Sequence, residues 1–187
     1  MSGHGHVDPS NKKVALLISI LALALALSET LGKSAQTGAL SYNVEASNLW
    51  TFFQAKTIRG TTLRTAAEAL EAEMAGVSRP EQRDAMQRRI ADWKANAARY
   101  ESEPQTQEGR KELAARARAA ESRRDRSLAA YHHYELASAA LQIAIVLASA
   151  EIITGVVLLT WVAGGLGVLG IAFCALGFFA PTAVHLF

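Results

Sequence analysis

The most apolar part of the 187-residue chain lies at its C-terminal end. Residues 136–162 are apolar apart from small hydroxyl side chains, Gln142 and Glu151, and residues 166–187 carry no charged side chain. Each stretch exceeds the about 20 residues that a helix needs to cross a hydrocarbon core about 30 Å thick. We predict membrane-spanning helices over 136–162 and 166–187, joined by a tight antiparallel turn at residues 163–165.

A shorter apolar run, Val14–Leu27, follows the basic pair Lys12 and Lys13. A basic start and a run of this length are also typical of a secretory signal peptide, which would be cleaved near Ser28. The helical pattern continues beyond that point without a proline. We therefore predict a first membrane-spanning helix over 14–31, after a tail of residues 1–13.

Residues 32–135 have helical periodicity, and we find no alternation typical of a half-buried strand. We expect helices over about 41–76, 80–102 and 107–135. No breaker separates the first of them from the first span, or the last from the second span. The sequence thus predicts an all-α integral membrane protein with three spans and a long, coiled-coil-like helical stalk outside the membrane.

Charged residues are segregated along the chain. Of the 36 Lys, Arg, Asp and Glu residues, 31 lie between Lys33 and Glu135. This pattern excludes a simple soluble globule, whose charges cover its whole surface. A net charge of +2 argues against nucleic acid as a partner, and the single Cys174 excludes a disulfide framework. Membrane lipid is the expected partner, and no small-molecule substrate is indicated.

The predicted helix 80–102 has large side chains at spacings of four and three residues, which favour a coiled-coil seam. The seam residues are Met86, Ile90, Trp93, Ala97 and Tyr100. The other stalk helices offer mainly alanine opposite them. We therefore expect a second copy of the chain to cover the seam in a closed homo-oligomer.

The predicted hairpin carries small residues at helical spacing, which allow another helix to approach closely. We interpret six of them as helix-packing positions: Ala144, Ala148, Gly155, Gly167, Gly170 and Gly177. Glu151 lies on the same face as the first three. We expect this face to be free to contact a neighbouring chain.

Gln142 and Glu151 are the polar residues of interest inside the second predicted span. A charged carboxylate near the middle of a membrane costs roughly 2.5–3.5 kcal/mol on insertion scales. Glu151 is therefore either a protonated acid that bonds to a neighbouring helix or the carboxylate of an ion or proton conduit. For Gln142 we favour a hydrogen bond between helices.

Two motifs resemble a known family. Residues 46–59 read ASNLWTFFQAKTIR, and residues 131–137 read YHHYELA before LQIAI at 141–145. This pattern is similar to that of an uncharacterised bacterial family, domain of unknown function 4337. The resemblance implies one membrane helix, a polar helical segment and a C-terminal helical hairpin, and it supplies no activity.

The sequence contains no constellation that indicates catalysis, a metal site or a cofactor, so we expect no enzyme. Our leading hypothesis is a self-associating structural or scaffolding protein of the bacterial inner membrane, and the alternative is a homo-oligomeric conduit that uses Glu151. Lys12 and Lys13 favour a cytoplasmic N-terminus and a periplasmic helical domain. Arg123, Arg124 and Arg126 favour the opposite orientation, although long segments cross membranes largely regardless of charge.

Overall fold

The structure, a computed structural model, describes residues 9–184 and is helical with no strand in that range. Its helices are α1 (Pro9–Met74), α2 (Pro80–Glu101), α3 (Arg110–Thr154) and α4 (Val157–Phe179). The helices α1, α3 and α4 are each long and apolar enough to cross a membrane. Parts of the predicted N-terminal tail and of the predicted span 166–187 lie outside the described residues.

Both long helices join an apolar segment to a polar one. The predicted span 14–31 and the predicted helix 41–76 belong to α1, which has 66 residues. The predicted helix 107–135 and the start of the second span belong to the 45-residue α3. Helix α2 begins at Pro80, a residue that suits a first turn because its missing N–H would have no partner there.

The turn of the apolar hairpin differs from the prediction. Residues 163–165 lie inside α4, and the connection consists of Gly155 and Val156, so the hairpin helices end and begin at Thr154 and Val157. Gly155 has φ +69°, a left-handed conformation in which glycine has no Cβ to clash. Its N–H donates to the Glu151 carbonyl at 2.8 Å and so satisfies one of the last carbonyls of α3.

The chain forms two compact units. We call residues 9–40 and 123–184 the apolar unit, and Ser41–Ser122 the polar unit. Helices α1 and α3 contribute to both units, α4 only to the apolar unit, and α2 only to the polar unit.

The core of the apolar unit consists mainly of small and aliphatic side chains from all three of its helices. Its buried members are Val14, Leu21, Leu141, Ala144, Ala148 and Ala163. Large apolar side chains lie on the outside instead: Leu23 is 65% exposed and Val168 is 70% exposed. Such a surface is compatible with a hydrocarbon environment.

The core of the polar unit is also small. Ala46 and Leu49 of α1 pack with Leu113, Ala117 and Ala120 of α3, and the partly buried rings of Trp50 and Phe53 extend this cluster. The surface around it is rich in charged side chains, as in the ion pair between Lys94 of α2 and Glu71 of α1 at 2.6 Å.

Candidate functional site

The glycines of α4 form its contact face. A Cβ at Gly167 would meet a Leu21 side-chain carbon at 2.5 Å, and one at Gly170 would meet a Leu141 carbon at 2.7 Å and the Ala137 carbonyl oxygen at 3.1 Å. A Cβ at Gly177 would lie 3.0 Å from a ring carbon of Tyr134 and 3.1 Å from the Cβ of His133. These glycines therefore let α4 approach α1 and α3 of its own chain.

The alanine face of α3 is used inside the chain as well. Ala144 and Ala148 are fully buried in the core of the apolar unit. The expectation that this face is free for a neighbouring chain is therefore wrong. Gly155, expected to pack on the same face, is exposed in the turn with nothing near its Cβ position.

Glu151 lies at the end of α3, three residues before the helix ends, and not at the middle of a span. Glu151 is only 7% exposed, and its Oε2 atom has no hydrogen-bond partner among the described residues. The preceding turn of α3 contributes Ala148 to the apolar core. Our expectation of a mid-membrane position is corrected, because the true turn begins at Gly155.

A polar cluster links α1 to α3 within the apolar unit. Ser28 is fully buried and donates its hydroxyl to the Tyr134 carbonyl at 3.0 Å. Ser138 donates to the Ser28 hydroxyl at 3.1 Å. Gly32 lies beside the Tyr134 Cβ, so the two helices are close at this level.

One turn away, the Gln142 side-chain amide donates to the Glu29 carboxylate at 3.2 Å. Both side chains are exposed on the outer surface of the apolar unit. The residue before Gln142, Leu141, packs against Gly170, which is the fourteenth of the 23 residues of α4. Glu29 directly follows the apolar run Val14–Leu27 of α1, and Gln142 lies seven residues after Glu135 of α3, so the pair lies towards the ends of these apolar segments that lead into charged sequence.

A groove of about 490 Å³ contains this pair. Its walls come from α1 and α3, with Lys33 and Glu135 at one end and Glu29 and Gln142 at the other. Ser138 lies between these two levels. The groove is thus lined by hydrogen-bond donors and acceptors and is open at the surface of the apolar unit.

His133 occupies the other side of α3. It is 1% exposed, and its Nε2 atom lies 3.2 Å from the carbonyl oxygen of Pro181, just after α4. Its ring stacks on Phe173 with centroids 6.3 Å apart. His133 therefore fastens the end of α4 to α3, whereas His132 pairs with Glu135 at 3.7 Å.

The α2 seam is covered within its own chain. Ile90 is 5% exposed and Ala97 is 4% exposed, while Met86, Trp93 and Tyr100 are half-buried. The expectation that a second copy must cover the seam is therefore corrected, because α1 supplies the opposing surface. Lys56 of α1, for example, lies over the Tyr100 ring at 5.2 Å.

The motif at residues 46–59 contributes one face to the core of the polar unit. Trp50 donates its indole N–H to Glu121 of α3 at 2.8 Å, and its ring meets Phe53 edge-on at 5.4 Å. Arg110 of α3 lies over the Phe53 ring at 5.0 Å. These residues orient α1 against α3 inside the unit.

The opposite face of α1 in the polar unit is exposed and uncharged. Eight residues at alternating spacings of four and three make up what we call the heptad face. They are Val44, Asn48, Thr51, Ala55, Ile58, Thr62, Thr65 and Ala69. Val44 is 59% exposed and Ile58 is 67% exposed, and this spacing is that of a coiled-coil contact.

The loop between α2 and α3 is held by a carboxylate. Glu112 of α3 accepts hydrogen bonds from the Ser102 hydroxyl at 2.7 Å and from the Glu103 backbone N–H at 3.2 Å. The Ser102 hydroxyl holds the pKa of Glu112 below its ordinary value of 4.5. A hydrogen bond from Arg99 likewise lowers the pKa of Glu103.

Neither Glu29 as the partner of Gln142 nor Ser28 and Ser138 as bridging residues was predicted from the sequence. The available signal was that Ser28 and Glu29 directly follow the apolar run of α1, and that Ser138 and Gln142 interrupt the apolar segment of α3. Among residues 9–184, no group of three or more His, Cys, Asp or Glu side chains is arranged to hold a metal ion.

The arrangement defines an all-helical protein whose helices α1, α3 and α4 are long and apolar enough to span a membrane. A family model described as "Domain of unknown function (DUF4337)" matches residues 10–180, so the chain belongs to this family, as its motifs indicated. A comparison with curated proteins found no match, and a comparison with solved structures found none.

Proposed function

We propose that the chain is a self-associating, non-enzymatic structural protein of a membrane. The apolar unit anchors it through three spans, and copies join through the heptad face of α1. The bacterial inner membrane is the location that the family resemblance implies. The basic pair at the start of α1 favours a cytoplasmic N-terminus, which puts the polar unit on the periplasmic side.

The heptad face is the observation that carries this proposal. A helix exposed to water normally presents charged side chains on the side away from its core. In the polar unit that side of α1 has no charge at eight successive heptad positions and leaves Ile58 67% exposed. Burial of these side chains against another helix removes apolar surface from water, which favours association.

A second copy of the chain fits this face best. Copies that cross one membrane in the same direction hold their α1 helices parallel and at the same height. Each heptad residue then meets its own counterpart, and the small side chains of Ala55 and Ala69 allow close approach of the two helices. This geometry is that of a parallel coiled coil.

The conduit is the second candidate, because the buried Oε2 atom of Glu151 has no partner among the described residues. A pore-lining role would require this side chain to face a shared channel. Glu151 is instead 7% exposed within one chain and lies near the hairpin turn. We therefore rank the conduit below the structural role.

The test is the oligomeric state of the full chain in mild detergent, measured by light scattering or mass photometry. We expect the unmodified chain to form oligomers. Ile58→Lys sets like charges opposite each other in the contact and is expected to weaken association by about tenfold or more, which corresponds to 1.4 kcal/mol. Ile58 is exposed in the single chain, so this change leaves the fold intact.

The matched control is Gln87→Lys, which adds the same charge at an exposed position of α2 away from the heptad face. We expect it to associate like the unmodified chain. An unmodified chain that remains monomeric at all concentrations would contradict the proposed function. Equal association of both variants would show that the heptad face is not the contact.

A further inference from the structure

The groove of about 490 Å³ between α1 and α3 lies where the apolar segments of α1, α3 and α4 end. On α1 it begins directly after the apolar run Val14–Leu27, and on α3 it includes Glu135, which directly precedes the apolar segment. Helix α4 ends near the same level, because a Cβ at Gly177 would lie 3.1 Å from the Cβ of His133. In a chain that spans a membrane through these three helices, this level is that of the lipid headgroups.

The lining of the groove carries charges of both signs. Lys33 is basic, and Glu29 and Glu135 are acidic. A Cβ at Gly32 would lie 3.3 Å from the Tyr134 Cβ, so the residues that follow them, Lys33 and Glu135, stand at nearly the same level on opposite walls. Both side chains are exposed. A ligand in the groove therefore meets a cation on one side and an anion on the other.

The balance of charge selects the kind of headgroup. With one lysine and two glutamates in its lining, the groove has a net charge of about −1 at neutral pH. An anionic headgroup is disfavoured, because like charges repel. A zwitterionic headgroup fits, since its phosphate accepts hydrogen bonds from Lys33 and its ammonium lies beside the Glu135 carboxylate.

The acceptors in the groove favour a primary ammonium over a quaternary one. A primary ammonium has three N–H donors, whereas a trimethylammonium has none and offers only its charge. Glu135 supplies carboxylate oxygens, and Gln36, about one turn beyond Lys33 on α1, supplies a side-chain carbonyl oxygen. The ring of Tyr131 attracts either cation and so does not discriminate between them.

The deeper end of the groove suits the ester region of a phospholipid. Gln142 donates one N–H to Glu29 at 3.2 Å, which leaves its second N–H for an ester carbonyl oxygen. Next to Gln142 the exposed surface of α3 is apolar, with Ile143 53% exposed and Val146 65% exposed. Charged, polar and apolar surfaces therefore follow one another along the groove in the order in which they occur in a phospholipid.

We propose that this groove binds a zwitterionic phospholipid with a primary ammonium, the chemistry of phosphatidylethanolamine. Lys33 holds the phosphate, Glu135 holds the ammonium, and Gln142, oriented by Glu29, contacts the ester region. The inference rests on the membrane-spanning part of the proposed function and is independent of self-association.

Native mass spectrometry of the full chain in mild detergent measures which lipids stay bound. The chain is mixed with equal amounts of phosphatidylethanolamine, phosphatidylcholine and phosphatidylglycerol that carry identical acyl chains. We expect phosphatidylethanolamine to be retained about threefold or more over each of the others, because charge-assisted hydrogen bonds strengthen its binding. Any other order of retention, equal retention of the three lipids, or no retention would overturn the inference.

Two variants divide the roles of the groove residues. Lys33→Gln removes the partner of the phosphate and is expected to lower the retention of phosphatidylethanolamine and of phosphatidylcholine. Glu135→Gln removes the partner of the ammonium and is expected to lower phosphatidylethanolamine alone, to the level of phosphatidylcholine. Glu135 also lies 3.7 Å from His132, but loss of that contact does not distinguish one lipid from another. The matched controls are Lys13→Gln and Glu68→Gln, at exposed positions of α1 outside the groove, and we expect them to retain lipid like the unmodified chain.

The same spectra report the oligomeric state, so the two proposals fail separately. A chain that stays monomeric yet retains phosphatidylethanolamine selectively contradicts self-association and supports the groove. Oligomers in which Lys33→Gln and Glu135→Gln retain lipid like the controls support self-association and overturn the groove. Glycerophosphoethanolamine has the same headgroup without acyl chains. If it displaces the lipid at equal concentration, the groove takes a soluble ligand and the inference is overturned.

Discussion

The apolar unit and the polar unit are both built from close-packed helices with alanine at buried positions, yet their exposed surfaces differ. In the apolar unit Ala144, Ala148 and Ala163 are fully buried and the bulky residues point outwards. In the polar unit Ala117 and Ala120 are fully buried and the outside carries ion pairs such as Lys94–Glu71. Small buried residues therefore do not distinguish the apolar unit from the polar unit.

The difference lies in what drives the packing. Lipid tails are as apolar as leucine, so helices in a membrane gain little by hiding leucine and gain most from close approach and hydrogen bonds. The glycines of α4 and the bonds of Ser28 fit this requirement. In water, exposed apolar residues are costly, and the exposed heptad face of α1 therefore supports the proposed contact between copies.

The largest expected effect concerns the glycine contacts of the apolar unit. Gly170→Ala would set a Cβ within 2.7 Å of Leu141 and 3.1 Å of the Ala137 carbonyl oxygen, and the backbone cannot yield easily. We expect the free energy of unfolding to fall by about 1–3 kcal/mol, the usual cost of overpacking. Denaturation in detergent micelles, followed by circular dichroism, measures it.

Gly164→Ala is the matched control, since it lies on the same helix with nothing within 4 Å of its Cβ position. Alanine favours helix over glycine by about 1 kcal/mol, so this variant is expected to be as stable as the unmodified chain or slightly more stable. Equal losses in both variants would contradict the close contact between α3 and α4.

A smaller effect is expected in the polar unit, where carboxylates hold the loop after α2. Because the pKa of Glu112 is lowered on folding, its stabilising effect is present above about pH 4.5 and is lost as the pH falls through the lowered value. Glu112→Gln is expected to lower the melting temperature at pH 7 and to flatten its dependence on pH in this range.

Thermal unfolding of the full chain between pH 7 and pH 3 measures this dependence. Asp92→Asn, at an exposed position of α2, removes a carboxylate elsewhere in the same unit. It is expected to retain the steeper pH dependence of the unmodified chain. A Glu112→Gln profile that runs parallel to that of the unmodified chain would contradict the role assigned to Glu112.

Much of the fold was predictable from the sequence because periodicity and breakers are local properties. The absence of a proline between Val14 and Met74 indicated that the first span and the next helix are continuous. Likewise, α3 runs from its charged start into the apolar segment without a break. Pro80 and Pro104 marked the limits of α2 in the same way.

The hairpin turn was not predictable in this way. Glycine occurs both at 155 and at 164–165, and an apolar helix accommodates the second pair without a break. The turn falls at Gly155 because that residue adopts a positive φ, and its N–H donates a hydrogen bond to the Glu151 backbone carbonyl. Misplacing the turn put Glu151 in the middle of a helix, whereas α3 ends three residues after it.

The partners of the candidate site depend on tertiary packing. Gln142 was expected to bond to another helix, but nothing local indicates Glu29, 113 residues earlier in the chain, as its partner. Likewise, the spacing of Ile90 and Ala97 predicted a contact face but not that α1 of the same chain would cover it.

The most direct test is whether exposed positions of the apolar unit are shielded from water by a membrane while exposed positions of the polar unit are not. In the Cys174→Ala background, Val168→Cys lies on the outer side of α4 at a position 70% exposed in the structure, and Gln87→Cys lies at an exposed position of α2. Open membrane fragments are treated with a charged maleimide, and denaturation in SDS serves as the control for total thiol. We expect rapid labelling of Gln87→Cys and protection of Val168→Cys until SDS is added. Labelling of Val168→Cys in intact membranes at the same rate as Gln87→Cys would contradict this expectation.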